Sequence, residues 1–497
     1  MESWGIWLGL ILFSGGLFVF GAALVFHNKV THSRAINSSK RIAAEAAAFL
    51  LRFYDPFMTR YKRAVLGPED VREPQSNEKV EPHERSPWHP KGAAESAEAS
   101  AHNPPSPRLR WVPAPHSSTG RALGLPRRRV NDNEGIWLTD REEIDCFLKA
   151  NPTVADEIAS LSVSNSRIRK GRFPFYYQPW DSEMLDRLRE EYQLDEVIRP
   201  GEDEFAKMVL LRDWLHQRWQ YGETKNVDFN FNALDILERA GRGEVFFCSE
   251  YSTTFVQAAV SIGWTARYLG IKTHVVAEIW SNQWKKWVLM DPTYNVHYEL
   301  GGTPQNALEL RRLWFSGESS EVRAVQGPSG VTNGVSADPH SLIRKYVEIY
   351  VRMRNDWFSN RLPHWHPLSN SIMNGVEWVD GKSSNNILIS RKTSDPLNLY
   401  WELNTAAIAL QIDKENSGRI SLRFETITPN FSHFLLKTDG REQEWRANRF
   451  TWVLRPGTNQ LEVAPVNALG LPGCKSQMSV TYKGARVKRS VKFDAGC

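Results

Sequence analysis

The sequence predicts an α+β protein: a helix packed on an antiparallel sheet, with an apolar helix ahead of it and a β-sandwich after it. Three observations carry that prediction. Residues 4–26 hold no charge, helical periodicity gives way to strands between residues 203 and 290, and short strands follow one another after residue 375. At 497 residues the chain is long enough for two or three domains, each with its own core.

The run Trp4–Phe26 is long enough to cross a hydrocarbon layer as one helix, and tryptophans near its start suit the interfacial zone. Its n-region lacks Lys and Arg, which argues for a membrane anchor over a cleaved leader. Lys29, Arg34, Lys40 and Arg41 follow the span, so charge bias keeps the C-terminal part cytoplasmic. Residues 27–66 form a juxtamembrane helical segment, rich in Ala, Leu and Arg. Residues 67–133 hold eleven of the 27 prolines and few aliphatics, the composition of a disordered linker.

Composition narrows the function. The net charge of +5 is small for this length, and the Arg127–Arg129 run lies in the linker, so no nucleic-acid partner is expected. Four cysteines without a CxxC spacing exclude a disulfide framework and a structural zinc site. Cys474 and Cys497 share the C-terminal region without any local feature that requires them to pair.

Residues 134–316 read as the core domain with a helical lead-in. "DEFAKMVLLRDWLHQRWQYG" places Phe205, Met208, Leu211 and Leu215 on one helical stripe, and "FNALDILERAG" is a shorter helix ended by Gly241 and Gly243. In "CSEYSTTFVQAAVSIGW", Tyr251, Phe255, Ala258 and Ile262 recur at helical spacing. Gly263 closes that helix, Ser249 is its expected N-cap, and Cys248 falls at its very start. Strands follow in "WTARYL", "HVVAEIW" and "WKKWVLM", the last broken at Asp291-Pro292. Residues 317–374 are expected to be a connector: a loop to Asp338, then a helix from Ser341 to Trp357. From 375 to 497, "LYWELN", "IALQID", "ISLRFET", "HFLLKT", "FTWVL", "NQLEVAPV" and "MSVTYKG" make a sandwich, with "LRPGTNQLEV" as a hairpin.

Three side chains needed for nucleophilic acyl transfer occur in order: Cys248, His274 and Asp291. Backbone N–H groups and the helix dipole favour a thiolate at a helix start, and the same groups can donate to an oxyanion. A two-residue turn at Asn282-Gln283 would set His274 directly opposite Asp291, on one face with Cβ atoms about 5 Å apart.

These blocks resemble the transglutaminase-like superfamily from about Phe205 to Trp314. The matching pieces are "RGEVFFCSEYSTTF", "GWTARYLG", "HVVAEIW" and "WVLMDPTYN". The resemblance implies a papain-like arrangement of helix and sheet, with Cys248 as nucleophile, His274 as base and Asp291 as orienting carboxylate. It further implies an upstream side chain at the oxyanion, for which Trp214, Gln217 and Trp219 are candidates. The "GxC" spacing of many members is absent, since Gly243 stands five residues before Cys248. Arg267 and Glu278 match positions that support the sheet. The implied activity is attack on a peptide or carboxamide carbonyl through a thioester, hydrolysis being favoured over cross-linking. It needs no metal or organic cofactor, and its partners are a protein or peptide substrate and the membrane. The alternative is a membrane-tethered scaffold whose transglutaminase-like domain is degenerate.

Overall fold

A computed structural model describes residues 137–484, apart from 165–167, 223–231, 332, 335–337, 358–374 and 384–390. The predicted anchor 4–26, the segment 27–66 and the linker 67–133 lie outside the described residues. Among the described residues no helix is long and apolar enough to cross a membrane.

Two helices, α1 (Arg141–Ala150) and α2 (Pro152–Glu157), lead into strand β1 (Ile158–Ser164). Helices α3 (Glu183–Glu191) and α4 (Leu194–Ile198) precede α5 (Glu204–His216), which Asp203 starts by accepting from Ala206 N. Asn232 caps α6 (Ala233–Gly241) in the same way. Gly243, at φ +90°, terminates that helix in the left-handed conformation glycine tolerates. Helix α7 (Cys248–Ser261) follows, and Gly263 at φ +92° ends it as expected.

Strands β2 (Ala266–Ile271), β3 (His274–Ser281) and β4 (Lys286–Met290) form an antiparallel meander. The chain then makes β5 (Val296–Leu300), β6 (Thr303–Pro304), α8 (Ala307–Ser316) and β7 (Arg323–Gln326). A 3-10 helix over Pro339–Val347 leads to β8 (Ile349–Arg352), with β9 (Gly375–Trp378) and β10 (Arg391–Thr393) beyond. These build a six-stranded sheet in the order β10-β9-β8-β2-β3-β4, and a small sheet β6-β5-β7.

Each face of the large sheet has its own core. On one face α5, α6 and α7 pack Leu211, Leu215, Ile236, Phe255 and Ala258 against Ala277, Ile279 and Val288. On the other, Leu269, Val276, Trp280 and Trp287 meet Tyr298, Leu310, Tyr346, Leu399 and Trp401. Helix α7 is buried on all sides from Tyr251 to Ser261, not along one stripe. Two of its polar groups find backbone partners, Ser252 Oγ donating to Val275 O at 3.1 Å and Gln257 Oε1 accepting from Ala233 N at 2.6 Å, while the Thr253 and Thr254 hydroxyls have none among the described residues.

The second core contains one ion pair with no access to water, Arg267–Glu278. Arg267 Nε and Nη2 donate to Glu278 Oε2 at 3.0 and 2.5 Å, and Nη1 donates to Leu399 O. Glu278 Oε1 accepts from Ala307 N at 2.8 Å and Tyr400 Oη at 3.1 Å. The guanidinium lies 4.0 Å from the Trp287 ring centroid, a cation–π contact.

The sandwich comprises β11 (Ala406–Ile412), β12 (Arg419–Thr426), β13 (Phe431–Thr438), β14 (Arg441–Trp445), β15 (Arg449–Val453), β16 (Gly457–Asn467) and β17 (Ser476–Tyr482). Its sheets are β11-β12-β15 and β1-β17-β16-β13-β14, sharing a core of alternating residues such as Ile420, Leu422, Phe424, Leu461 and Val463.

Several sequence expectations are corrected here. β1 pairs with β17, and Ile144, Phe147 and Val154 pack in the sandwich core, so this lead-in belongs with the sandwich. The connector supplies β7 and β8 to the core domain's sheets, and the sandwich begins near residue 406, not 375. The helix expected over 341–357 is instead the 3-10 helix Pro339–Val347 followed by strand β8, because Ile349 and Val351 alternate inward on a strand held between β2 and β9. Leu399–Asn404 alternates like a strand but pairs with none, since the carbonyls of Leu399 and Trp401 accept from the Arg267 and Trp287 side chains. "LRPGTNQLEV" is no hairpin: β15 and β16 lie in different sheets. Cys474 is a free thiol donating to Asn282 O at 3.3 Å, and Cys146 is exposed.

Glu278→Ala leaves the Arg267 guanidinium buried without its counter-ion. Unfolding stability should fall by about 3–5 kcal/mol, read as a lowered urea midpoint with unchanged slope.

Candidate active site

Cys248 is the first residue of α7, and its N-cap is Phe247, not Ser249. Phe247 offers no side-chain acceptor, so no cap side chain competes for the first-turn N–H groups around the sulfur. Ser249 Oγ instead donates to Glu250 Oε2 at 2.6 Å. Burial pushes the Glu250 carboxyl above the usual carboxylate range, against hydrogen bonds from Ser249 and from the backbone of Glu250 and Phe247 that lower it. A second negative charge beside the sulfur is thereby disfavoured.

His274 opens β3 and Asp291 follows β4, but the two are not directly opposed. The register pairs Ser281 with Lys286 and Ala277 with Met290. The turn therefore spans Asn282–Lys285, with Lys285 at φ +52°, and is two residues longer than expected. A shift of two preserves the face, because side chains alternate with period two. His274 and Asp291 become diagonal neighbours, with Nε2 2.8 Å from Asp291 Oδ2. Asp291 Oδ1 accepts from Thr293 N and Tyr294 N at 3.0 and 3.2 Å, so a tight turn holds the carboxylate.

With Nε2 engaged by Asp291, Nδ1 is left for Cys248, whose thiol is a hydrogen-bond partner of the ring. Burial disfavours charge on His274, but Asp291 and then Cys248 outweigh it, and the ring is pushed up to about 10. Behind Asp291 lies fully buried Arg212, which burial lowers to about 10 against the pull of Asp213 and Asp291. Its Nε donates to Asn295 Oδ1 at 3.0 Å and its Nη1 to His297 Nδ1 at 2.9 Å. Burial and Arg212 lower His297 to about 4, the neutral form that can accept this bond.

The three oxyanion candidates part company. Gln217 Nε2 is bound to Asp213 O and Oδ2, both at 3.0 Å. Trp214 lies edge-on to Tyr192, under the Arg218 guanidinium. Trp219 stacks on Tyr251 at 4.4 Å and meets Phe246 at 5.5 Å, so its contacts bracket Cys248 in sequence. Its indole N–H is buried without a hydrogen-bond partner among the described residues.

Sequence reasoning missed the aromatic walls. Tyr294 meets the His274 ring edge-on at 5.3 Å, and Tyr221 meets Phe247 at 6.0 Å. Burial pushes both hydroxyls up, and the neighbouring Asp291 and Cys248 add to the rise. It also missed Asn333, which donates to Tyr251 Oη and Thr293 O and accepts from Tyr221 N, clasping three segments around the site. A lone tyrosine or asparagine in a loop carries no spacing signal.

The raised His274 fixes a pH dependence. The imidazolium's contribution to stability is fully present below its ordinary pKa of about 6.5 and is lost as pH rises through about 10. The stability advantage of wild type over Asp291→Asn should therefore shrink across that window, as measured by urea unfolding from pH 6 to 11. An advantage that stays constant would contradict the charge assignment.

Comparison with curated proteins returns no match. Residues 192–292, about a fifth of the chain, match the family model of the transglutaminase-like superfamily, and this segment, ending just past Asp291 and holding Cys248 and His274, is a transglutaminase-like domain.

Proposed function

We propose that the protein is a cysteine enzyme that cleaves or transfers at peptide or carboxamide carbonyls through a thioester on Cys248. One observation carries this reading: a buried imidazole bound to Asp291 through Nε2, with Cys248 as a further hydrogen-bond partner of the ring.

The sulfur attacks the carbonyl carbon as a thiolate, its proton held by His274. The tetrahedral oxyanion is met by first-turn N–H groups of α7, with the Trp219 indole as the side-chain donor. Collapse breaks the C–N bond, and His274 passes its proton to the leaving amine. The ring, neutral again, takes a proton from water or an amine that attacks the thioester and keeps it, while the sulfur leaves as the thiolate, which restores the starting pair. Asp291 keeps the ring oriented and offsets its positive charge throughout. Partial exposure of Cys248 and 40% exposure of Tyr221 favour water as the acceptor, since amine transfer needs water excluded.

The test is a screen of peptide and carboxamide donors with product masses resolved. Wild type should form a thioester adduct on Cys248, and Cys248→Ala should form none and turn over nothing. Trp219→Phe should lower kcat about 100-fold with the adduct site unchanged, the order expected for one lost oxyanion donor. Identical behaviour of wild type and Cys248→Ala would favour the non-enzymatic scaffold.

A further inference from the structure

The sheet places Asp291 and Tyr350 on opposite sides of the His274 strand. β4 flanks β3 on one side, while β2 and then β8 lie on the other. Tyr350 stands opposite Gly270, and Gly270 stands opposite Val275, the residue after His274. Opposed residues share a face, and Gly270 is two positions from Tyr268, itself opposite Ala277 of the core under α7. This row therefore faces the helix that carries Cys248. Ser252, one turn beyond Cys248, donates to the carbonyl of Val275 in the same row.

Gly270 decides what fills the space. A Cβ there would overlap the Tyr350 ring, so the ring crosses β2 against bare backbone. Tyr350 is only partly buried, and its hydroxyl has no hydrogen-bond partner among the described residues. The sulfur is close enough to act on it: burial pushes the phenol up, Arg352 pulls it down, and Cys248 adds to the rise. A phenol O–H without a partner among the described residues, on a fixed ring in the row that faces the helix carrying Cys248, suits an uncharged acceptor, as a main-chain carbonyl is.

Building on the acyl-transfer reading, we infer that Tyr350 is a substrate-binding residue. Its hydroxyl donates to a main-chain carbonyl of a peptidyl acyl donor held beside Cys248, and Gly270 makes room for its ring. The acyl donor is accordingly a peptide, not a small free amide.

The experiment compares two irreversible probes on the full chain, with modification mapped to Cys248 by mass. Iodoacetamide reports the thiol alone, and an N-acetyl-trialanyl chloromethyl ketone adds main-chain carbonyls. Tyr350→Phe, which keeps the ring, should leave the iodoacetamide rate unchanged. For the peptidyl probe it should raise KI about three- to tenfold, the worth of one neutral hydrogen bond, with kinact unchanged. Equal KI in both proteins, equal slowing of both probes, or no saturation of wild type by the peptidyl probe would each overturn the inference. Failure of the acyl-transfer reading shows separately, in wild type alone, as iodoacetamide reacting at Cys248 no faster than at an ordinary free thiol.

Discussion

The arrangement of the core domain rests on the Arg267–Glu278 pair. Two charges removed from water cost several kcal/mol each unless every donor and acceptor is matched. Here the matching groups come from separate parts of the chain: β2, β3, the first residue of α8, and the Leu399–Tyr400 segment. A guanidinium has fixed donor directions, so satisfying it fixes where these parts stand. Glu278 is four residues along β3 from His274, and β4 is paired to β3. The pair thus sets the plane from which the His274–Asp291 diagonal is built.

Helix α7 is the second constraint. A helix buried on all sides has no solvent to satisfy polar side chains, which explains why Ser252 and Gln257 find backbone partners across the interface. Ser252 binds the carbonyl of Val275, so the helix start is tied to the strand that begins at His274. Asn333 and Tyr251 close the other side, through the backbone of Trp219 and Thr293. Cys248 and Asp291 are held by different contacts, yet both positions are referred to the same stretch of β3.

Much of this is legible in the sequence because it depends on periodicity. The helices at 204–216, 233–241 and 248–261, the meander and six of the sandwich strands follow from 3.6- and two-residue repeats and their end signals. The placement of His274 and Asp291 on one face survives an incorrect turn length because only parity matters. Partner choice was not legible. Which sheet β1 joins, whether β15 and β16 pair, and that Leu399–Asn404 gives its carbonyls to side chains are decided by residues far away in sequence. The same holds for Tyr221, Tyr294 and Tyr350, whose places against Phe247, His274 and Gly270 arise from ring contacts and β-pairing that no local pattern encodes.

The charges at the site explain why position 291 requires a carboxylate and not merely a hydrogen-bond acceptor. Asparagine would supply an oxygen to His274 Nε2, and its Oδ1 could serve either the ring or the turn N–H groups, but not both. It would also remove a negative charge shared by two buried cations, the His274 imidazolium and Arg212, and leave Asp213 as the carboxylate acting on Arg212. Arg212 cannot move away, because Asn295 and His297 hold it. In that setting the imidazole would give up its proton at lower pH. Asp291 therefore does more than orient a ring. Its charge offsets both His274 and Arg212, and that favours the protonated form of a buried imidazole.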